Sequence, residues 1–565
     1  MVVRYPRVQS GSTFHESAGR RGYRTNVGVR KRGWLLVGAL VLGAVVSVLF
    51  MKPVFLAPVA GDDRVWYPEM GALESWSVPS ELGQLPQWWE LRTHKGRANV
   101  MTDLERRSAG RLVVETSIET GTPTYVVNGA LKLLLAGLAV LTLAGLLKSV
   151  RCRRRDGALV RLSGRTVVLC TLAGGVLFAL GSQPPFHEVN GRNGWVNYPT
   201  HTYGAVISIL GVTALVLWLT RLYAEGRFRI PIVLGLAFLA VLTNLRYELV
   251  FPAAPLSFIA LLLVPVTSRL SAAEGRRAKW VTGISFVGVF MATLVVLRVY
   301  VRRLCEGDAN GCYPGVTPHL SSEIAGTFWQ NVASSIPGTT APRVAEFVKS
   351  WGVSTDGMYT PTPWSLVLGG CMALVLLVGW WSTRPAASVE LADVAEPQVD
   401  DGIARGTDEA RLLMLAAVLC LLGALAAAGV MSLSVDAQSS SQLGLPYRHT
   451  VVTWAGIAWA VGLGALALRQ VSPRAGAATW VVLSLAVGVA AAFLLPSNER
   501  SLAADRVDSH ATTAAFAALV NGDLSDSANA HRCRLVPEIR DERDDAARLF
   551  DDVFRRHWGQ EFCRR

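Results

Sequence analysis

A chain of 565 residues that is 51% apolar and only 17% charged, with mean hydropathy +0.34, departs from soluble globular proteins, in which about 25% of residues are charged. Lipid is the solvent that this composition fits. The formal charge of +13 does not point to nucleic acid, because the Arg residues fall in short stretches between apolar runs, as they do in the cytoplasmic loops of membrane proteins.

Residues 1–33 are polar and basic, with Arg20, Arg21, Arg24, Arg30, Lys31 and Arg32, and read as a disordered cytoplasmic leader. The apolar run Trp34–Met51 nearly reaches the roughly 20 residues of helix that cross a hydrocarbon core about 30 Å thick. A cleaved signal peptide is the competing reading. Pro58 interrupts the candidate cleavage segment Ala57–Ala60, so a retained first helix with its N-terminus inside is expected. After the hydrophilic segment 52–127, apolar runs fall near 127–149, 159–181, 202–223, 229–247, 249–268, 280–300, 364–382, 411–430, 450–469 and 476–495. Every second connection is basic: Arg151–Arg155 with Arg161 and Arg165, Arg221–Arg229, Arg269–Lys279, the 382–411 linker and Arg469–Arg474.

The alternation predicts an all-α membrane protein, a bundle of about 11 transmembrane helices over 34–495. The outer loops are then 52–127, 182–201, 301–363 and 431–449, with a tight turn near Tyr247, and 383–410 is a flexible cytoplasmic linker. Trp66, Trp76, Trp88 and Trp89 in the first outer loop, and Phe328, Trp329, Phe347 and Trp351 in the third, suit juxtamembrane helices lying at the interface. The scarcity of Lys beside Arg, with abundant Ala, Val, Leu and Gly, fits a GC-rich genome and a bacterial plasma membrane.

Cysteine usage tests this sidedness. Cys170, Cys371 and Cys420 fall in apolar runs and Cys152 in a basic loop, whereas Cys305 with Cys312 and Cys533 with Cys563 fall outside as two local pairs. Disulfides persist in oxidising compartments, so both pairs are expected to close. The tail 496–565, with its charge-laced stretch Pro537–His557, then reads as a small helical extracytoplasmic C-terminal domain stapled by Cys533–Cys563.

No GxxxxGK[ST], HExxH, GxSxG or CxxC motif occurs, which removes most of the case for ATP-driven transport and for zinc proteolysis. The strongest local feature is Gly61-Asp62-Asp63-Arg64-Val65-Trp66-Tyr67-Pro68-Glu69, an acidic pair in an aromatic segment just beyond the first helix. A carboxylate near a low-dielectric boundary can serve as a general base; the plainer reading is that Asp62 and Asp63 cap a helix or are solvated. In the second outer loop, His187, Glu188, Tyr198 and His201 could line a cavity. The His/Glu cluster could also bind a divalent metal, but its spacing matches no metal-ligand pattern, so no cofactor is firmly implied.

A multi-pass chain with an acidic pair in a long first outer loop and a soluble C-terminal tail resembles the GT-C superfamily of glycosyltransferases. The resemblance implies a sugar donor carried on polyprenyl phosphate and a glycan, lipid or protein acceptor. Asp62 or Asp63 would take the proton of the acceptor hydroxyl, the hydroxyl would attack the anomeric carbon, and lipid phosphate would leave with inversion. The leaving phosphate needs cations, and Arg offers a bidentate fork. Arg246 beside Glu248, and Arg448 beside Tyr447, sit at outward helix ends for that purpose, with Trp66 as a sugar-stacking surface. An Arg246–Glu248 ion pair and an interfacial anchor at Arg448 are the plainer alternatives. A polymerase or ligase of lipid-linked glycans, or a transporter or flippase, are the competing functions; internal repeats and charged mid-membrane segments, which transporters favour, are not seen.

Overall fold

The computed structural model describes residues 21–59, 63–72, 77–153, 159–182, 195–196, 198–266, 272–307, 312, 318–382, 399–440, 442–444, 448–542 and 546–564. Asp62, His187, Glu188, Tyr447 and Trp76 lie outside them, as does most of the expected 383–410 linker.

The chain is 81% helical, which places it among helical bundles and not barrels as a membrane-spanning class. In chain order the first helices are α1 (Arg21–Phe55), α2 (Asp63–Gly71), α3 (Val78–Gly83), α4 (Leu85–His94), α5 (Val100–Thr120) and α6 (Thr124–Ser149). A two-stranded hairpin, β1 (Cys152–Arg153) with β2 (Leu159–Val160), leads to α7 (Gly164–Leu180), α8 (Pro199–Ala224), α9 (Arg229–Asn244), α10 (Ala253–Leu263), α11 (Ala272–Gly283) and α12 (Val289–Glu306). The rest are α13 (Ile324–Ser334), α14 (Ala341–Ser350), α15 (Pro363–Ser382), α16 (Val399–Ser432), α17 (Val435–Ser440), α18 (Thr450–Val471), α19 (Pro473–Asp508), α20 (His510–Asn521), α21 (Asp526–Glu542) and α22 (Ala546–Trp558).

Among the described residues, eight helices are long and apolar enough to cross a membrane. They are Trp34–Phe55, Thr124–Ser149, Pro199–Ala224, Ala273–Glu306, Pro363–Ser382, Gly406–Ser432, Thr450–Val471 and Pro473–Asp508. Three shorter apolar helices, Gly164–Leu180, Arg229–Asn244 and Glu248–Leu263, pack among them. The last two meet at the tight turn expected near Tyr247. The outward faces are apolar and exposed, as at Val295, Val296, Leu366 and Val482, which is the surface lipid requires.

Three element boundaries differ from the sequence reading. Helix α1 starts at Arg21, inside the expected leader, because extending an existing helix costs far less than nucleating one. Helix α16 likewise starts at Val399, inside the expected linker. Helix α19 does not stop at 495 but runs through Pro496 to Asp508, and so carries the membrane bundle straight into the C-terminal helices.

Small residues set the closest helix approach. At the α15–α19 crossing, a Cβ on Gly488 would lie 2.8 Å from the Gly369 carbonyl oxygen, and one on Gly369 would overlap the Gly488 carbonyl. This is the close packing that lets helices associate in lipid without a hydrophobic driving force. Trp indoles lock other crossings: Trp454 donates to the Leu177 carbonyl at 2.9 Å, Trp459 to Gly174 at 3.0 Å and Trp480 to Leu376 at 3.1 Å.

The two ends of the bundle differ. One gathers α2–α5, α13, α14, α17 and α20–α22; Phe516, Leu519, Phe550, Phe554 and Phe562 pack there with Tyr67, Val113 and Val114 of the first loop in one core. The Cys305–Cys312 and Cys533–Cys563 disulfides belong to segments at this end. The other carries the β-hairpin and a polar lock in which Gln470 donates to Glu409 at 3.0 Å.

Replacing Gly488 by Val is expected to cost about 1–3 kcal/mol through overpacking, seen as a lowered thermal midpoint in detergent. Gly370→Ala, which would meet nothing within 4 Å, is expected to leave the midpoint unchanged.

Candidate functional site

Asp63 opens α2 and is 3% exposed. A carboxylate at a helix N-terminus is favoured by the helix dipole, but at this depth it also needs charged or donor partners. The Arg106 Nε lies 3.3 Å from one oxygen, and the backbone N–H of Tyr198 donates to the other at 3.2 Å. Arg106 comes from α5 and Tyr198 from the residue before α8, so one side chain joins three separate segments.

Tyr198 is one of two described non-glycine residues with positive φ, at 54°. This left-handed conformation is unfavourable for a residue with a Cβ. It aims the N–H at Asp63 and sets the ring between two guanidinium groups, Arg448 at 4.4 Å and Arg106 at 5.1 Å from its centroid. The His201 ring stacks on Tyr198 with centroids 5.5 Å apart and on Tyr247 at 5.4 Å. Arg448 donates to the Tyr247 hydroxyl at 3.1 Å. Trp66 lies under Arg106, 4.3 Å from its centroid, and near Arg92 at 5.7 Å. Both nitrogens of His201 are buried without a hydrogen-bond partner among the described residues.

A second layer supports these groups. Arg92 grips Asp103 through two bonds of 2.5 Å. The Tyr67 hydroxyl donates to Asn128 at 3.0 Å; burial first, then the Asp63 charge, pushes its pKa well above the usual phenol range, while Arg106 pulls it down. The phenol therefore stays a protonated donor. Lys132 of α6 is fully buried and donates to the Val54 carbonyl at 3.3 Å, within electrostatic reach of both Asp63 and Asp505.

Arg246 does not pair with Glu248. It binds Glu105 of α5 at 2.8 Å and the Ser208 hydroxyl, along the face of α8 that also carries His201 and Gly204. Burial raises the Glu105 pKa, and Arg246 acts against that rise. Glu248 pairs with Arg298 of α12 at 3.4 Å. Arg246, Glu248 and Arg298 line a narrow cleft beside the Asp63 cluster. Arg448 is folded over the rings and is not an anchor pointing to the interface.

Of the residues singled out from the sequence, Asp63, Trp66, Tyr198, His201 and Arg448 converge, and Arg246 and Glu248 sit in the adjoining cleft. Arg92, Asp103, Glu105, Arg106, Lys132 and Tyr247 were not singled out. Arg106 and Asp103 fall on one face of a helix by their spacing, which is a legible signal, although their partners are not. Among the described residues, no group of three His, Cys, Asp or Glu could hold a metal. The chain matches no protein-family model, no curated protein and no solved structure.

The Asp63–Arg106 pair sets a stability prediction. Arg106→Met leaves a buried carboxylate without its cation and is expected to cost about 3–5 kcal/mol, read as a fall in thermal midpoint. Arg302→Met, at an exposed pair with Glu306, is expected to leave it unchanged.

Proposed function

We propose that the chain is a membrane glycosyltransferase of the GT-C type. In this reading it moves a sugar from a polyprenyl-phosphate donor to a cell-envelope acceptor at the outer face of a bacterial plasma membrane, with inversion. The three shorter apolar helices also cross, giving 11 spans. The end that gathers the Asp63 cluster and both disulfides is extracytoplasmic, with the N-terminus on the opposite side.

One observation carries this reading. Asp63 of the acidic pair shares a single cluster with the guanidinium groups of Arg106 and Arg448 and the flat faces of Trp66, Tyr198 and Tyr247. A transfer that releases a phosphate needs fixed cations near a carboxylate base, with aromatic surfaces to receive a sugar ring. Both oxygens of Asp63 already have partners. Asp63 therefore positions the segment, and Asp62, next in the chain, is the base that takes the acceptor proton. Arg448, held against Tyr247, and Arg246 stabilise the departing lipid phosphate as its charge develops.

A polymerase or ligase of lipid-linked glycans is the second reading. It is favoured by the closed state of Asp63 beside His201, whose nitrogens have no hydrogen-bond partner among the described residues, since such an enzyme would rely on Arg and His and not on the acidic pair.

Vesicles holding the full chain and a labelled polyprenyl-phosphate sugar decide between them. Asp62→Asn is expected to lower transfer by about 100-fold or more, with an unchanged thermal midpoint. Transfer undiminished in both Asp62→Asn and Asp63→Asn removes the base, and loss confined to Arg448→Ala and His201→Ala selects the second reading. Sidedness has its own check. After mild reduction of intact cells, an impermeant maleimide is expected to label Cys305 and Cys533 but not Cys152; labelling of Cys152 alone inverts the topology.

A further inference from the structure

The end of the bundle opposite the Asp63 cluster carries exposed cations, as at Arg227, Arg229, Arg276 and Arg277, which water or headgroups solvate. Two arginines at this end are placed differently. Arg221, in the last turn of α8, is 6% exposed, and Arg151, just after α6, is half-buried. Helices α6 and α8 lie side by side here. The Ser149 hydroxyl donates to the Ala214 carbonyl at 3.4 Å, and the chain leaves α6 in extended form at Val150, which carries Arg151 alongside the last turns of α8. Helix α11 packs on the same stretch of α8, with Ala278 against Ala224 and the Thr282 hydroxyl 2.8 Å from that of Thr220.

The two charges are unmatched among the described residues. Arg221 Nη2 and Arg151 Nε are buried without a hydrogen-bond partner among them, and neither side chain forms an ion pair there. The two guanidinium groups repel one another, and Arg161 adds to the repulsion at Arg151; Glu225 is the carboxylate that opposes it at both. Glu225 is itself exposed and lies 3.7 Å from Arg227. Asp408, which abuts the neighbouring hairpin at Cys152, pairs with Arg411 at 3.7 Å. The C-terminal ends of α6 and α8 favour cations, but a helix dipole does not supply the hydrogen bonds that a buried guanidinium nitrogen lacks. Like charges held together in this way call for an anion with several acceptor oxygens, and a phosphate accepts from two guanidinium groups at once.

The surrounding surface points to the source of that phosphate. Phe228, in the turn after α8, is held at a positive φ of 49° with its side chain exposed, and Ile230 and Trp280 are exposed as well. Large apolar side chains displayed at a helix end suit the boundary between headgroups and acyl chains. The arginine pair then lies at the level of lipid headgroups.

We propose that Arg151 and Arg221 hold the phosphate of an anionic phospholipid in the leaflet at this end, the cytoplasmic leaflet in the topology given above. Because Arg151 is half-buried, the phosphate reaches the pair from the surface. A zwitterionic lipid brings the same phosphate with a cation that the pair and Arg161 repel, so a headgroup of net negative charge is selected. The rise of α8 from His201 to Arg221 separates this site from the Asp63 cluster by about 30 Å, and the site does not depend on the chemistry there.

The test uses the full chain, delipidated in a neutral maltoside detergent and titrated with phosphatidylglycerol or phosphatidylcholine, with bound lipid followed by native mass spectrometry. Phosphatidylglycerol is expected to bind about tenfold more tightly than phosphatidylcholine and to raise the thermal midpoint. Arg151→Gln and Arg221→Gln are each expected to weaken phosphatidylglycerol by about tenfold. Arg474→Gln, at an exposed cation of the same end, is expected to leave it unchanged. Because the two charges repel, Arg151→Gln is expected not to lower the midpoint of the lipid-free chain, which separates loss of the ligand from loss of the fold. A lowered midpoint in that variant marks the arginine as matched within the protein and overturns the proposal. So does equal binding of the two lipids, or phosphatidylglycerol binding unchanged in both Arg151→Gln and Arg221→Gln. Displacement of phosphatidylglycerol by inorganic phosphate at equal concentration assigns the pair to a soluble phosphate and overturns the lipid as its source.

Discussion

A carboxylate buried at the end of an apolar bundle persists only if each of its oxygens is matched, and Asp63 is matched by two elements far from it in sequence. Arg106 supplies the charge and the Tyr198 amide supplies a second donor. The amide can donate only because Tyr198 accepts a left-handed backbone conformation, which a side-chain-bearing residue adopts at a cost. Asp63 therefore holds strain in the segment ahead of α8, and that strain places the Tyr198 ring between Arg106 and Arg448 and against His201. The start of α8 holds the same residue from its other side, because the Tyr198 carbonyl accepts from the His201 and Thr202 N–H groups at 2.9 and 3.0 Å.

The other end of α2 is clamped as well. Arg111 donates to the Met70 carbonyl at 2.8 Å and Arg556 to the Gly71 carbonyl at 2.6 Å, both at the C-terminal end of the helix, where cations are favoured. Glu115 then receives Arg111 at 2.8 Å, Arg556 at 3.3 Å and His557 at 3.4 Å. Arg64 reaches Ser509 at 2.7 Å and Asp508 at 3.6 Å. Burial, ahead of the opposing pull of Glu115, lowers the His557 pKa, so this contact is made mainly by the neutral ring near pH 7. The C-terminal helices thus belong to the scaffold of the cluster. They hold α2 from above while Asp63 holds it from within, and Cys533–Cys563 closes the unit that does so.

How much of this the sequence discloses depends on range. Apolar runs of about 20 residues name the long helices directly, because bilayer thickness fixes their length, and the local cysteine pairs point to the disulfides by proximity. The acidic pair, Trp66, Tyr198, His201 and Arg448 stand out because polar and aromatic residues at helix ends are few. What the sequence withholds is pairing. Arg246 has Glu248 two positions away, yet helix α9 ends at Asn244, just before Arg246, and a 3-10 turn begins at Glu248, so the two side chains diverge, one to Glu105 and the other to Arg298. Arg106 looks like one charge among many in a hydrophilic loop until α5 folds it against Asp63. Lys132 was legible as an ionisable residue near the start of an apolar run, a place where such a group is costly, but its carbonyl partner on α1 was not.

The distribution of charge through the bundle limits the functions it can serve. Among the described residues, the ionisable groups of the spanning helices lie within a few turns of their ends, as Lys132, Arg221 and Arg298 do. Deeper polar groups are mostly hydroxyls that satisfy one another or the backbone. Thr213 of α8 meets Ser257 at 3.3 Å and donates one turn back along the helix to the Ile209 carbonyl. Such pairs join helices in lipid, where a partnerless hydroxyl is expensive. A carrier needs binding groups near the midplane. Here the Asp63–Arg106 pair, Arg448, the strained Tyr198 and the aromatic faces gather at one end, an arrangement that suits the proposed work on molecules presented at one surface of the membrane.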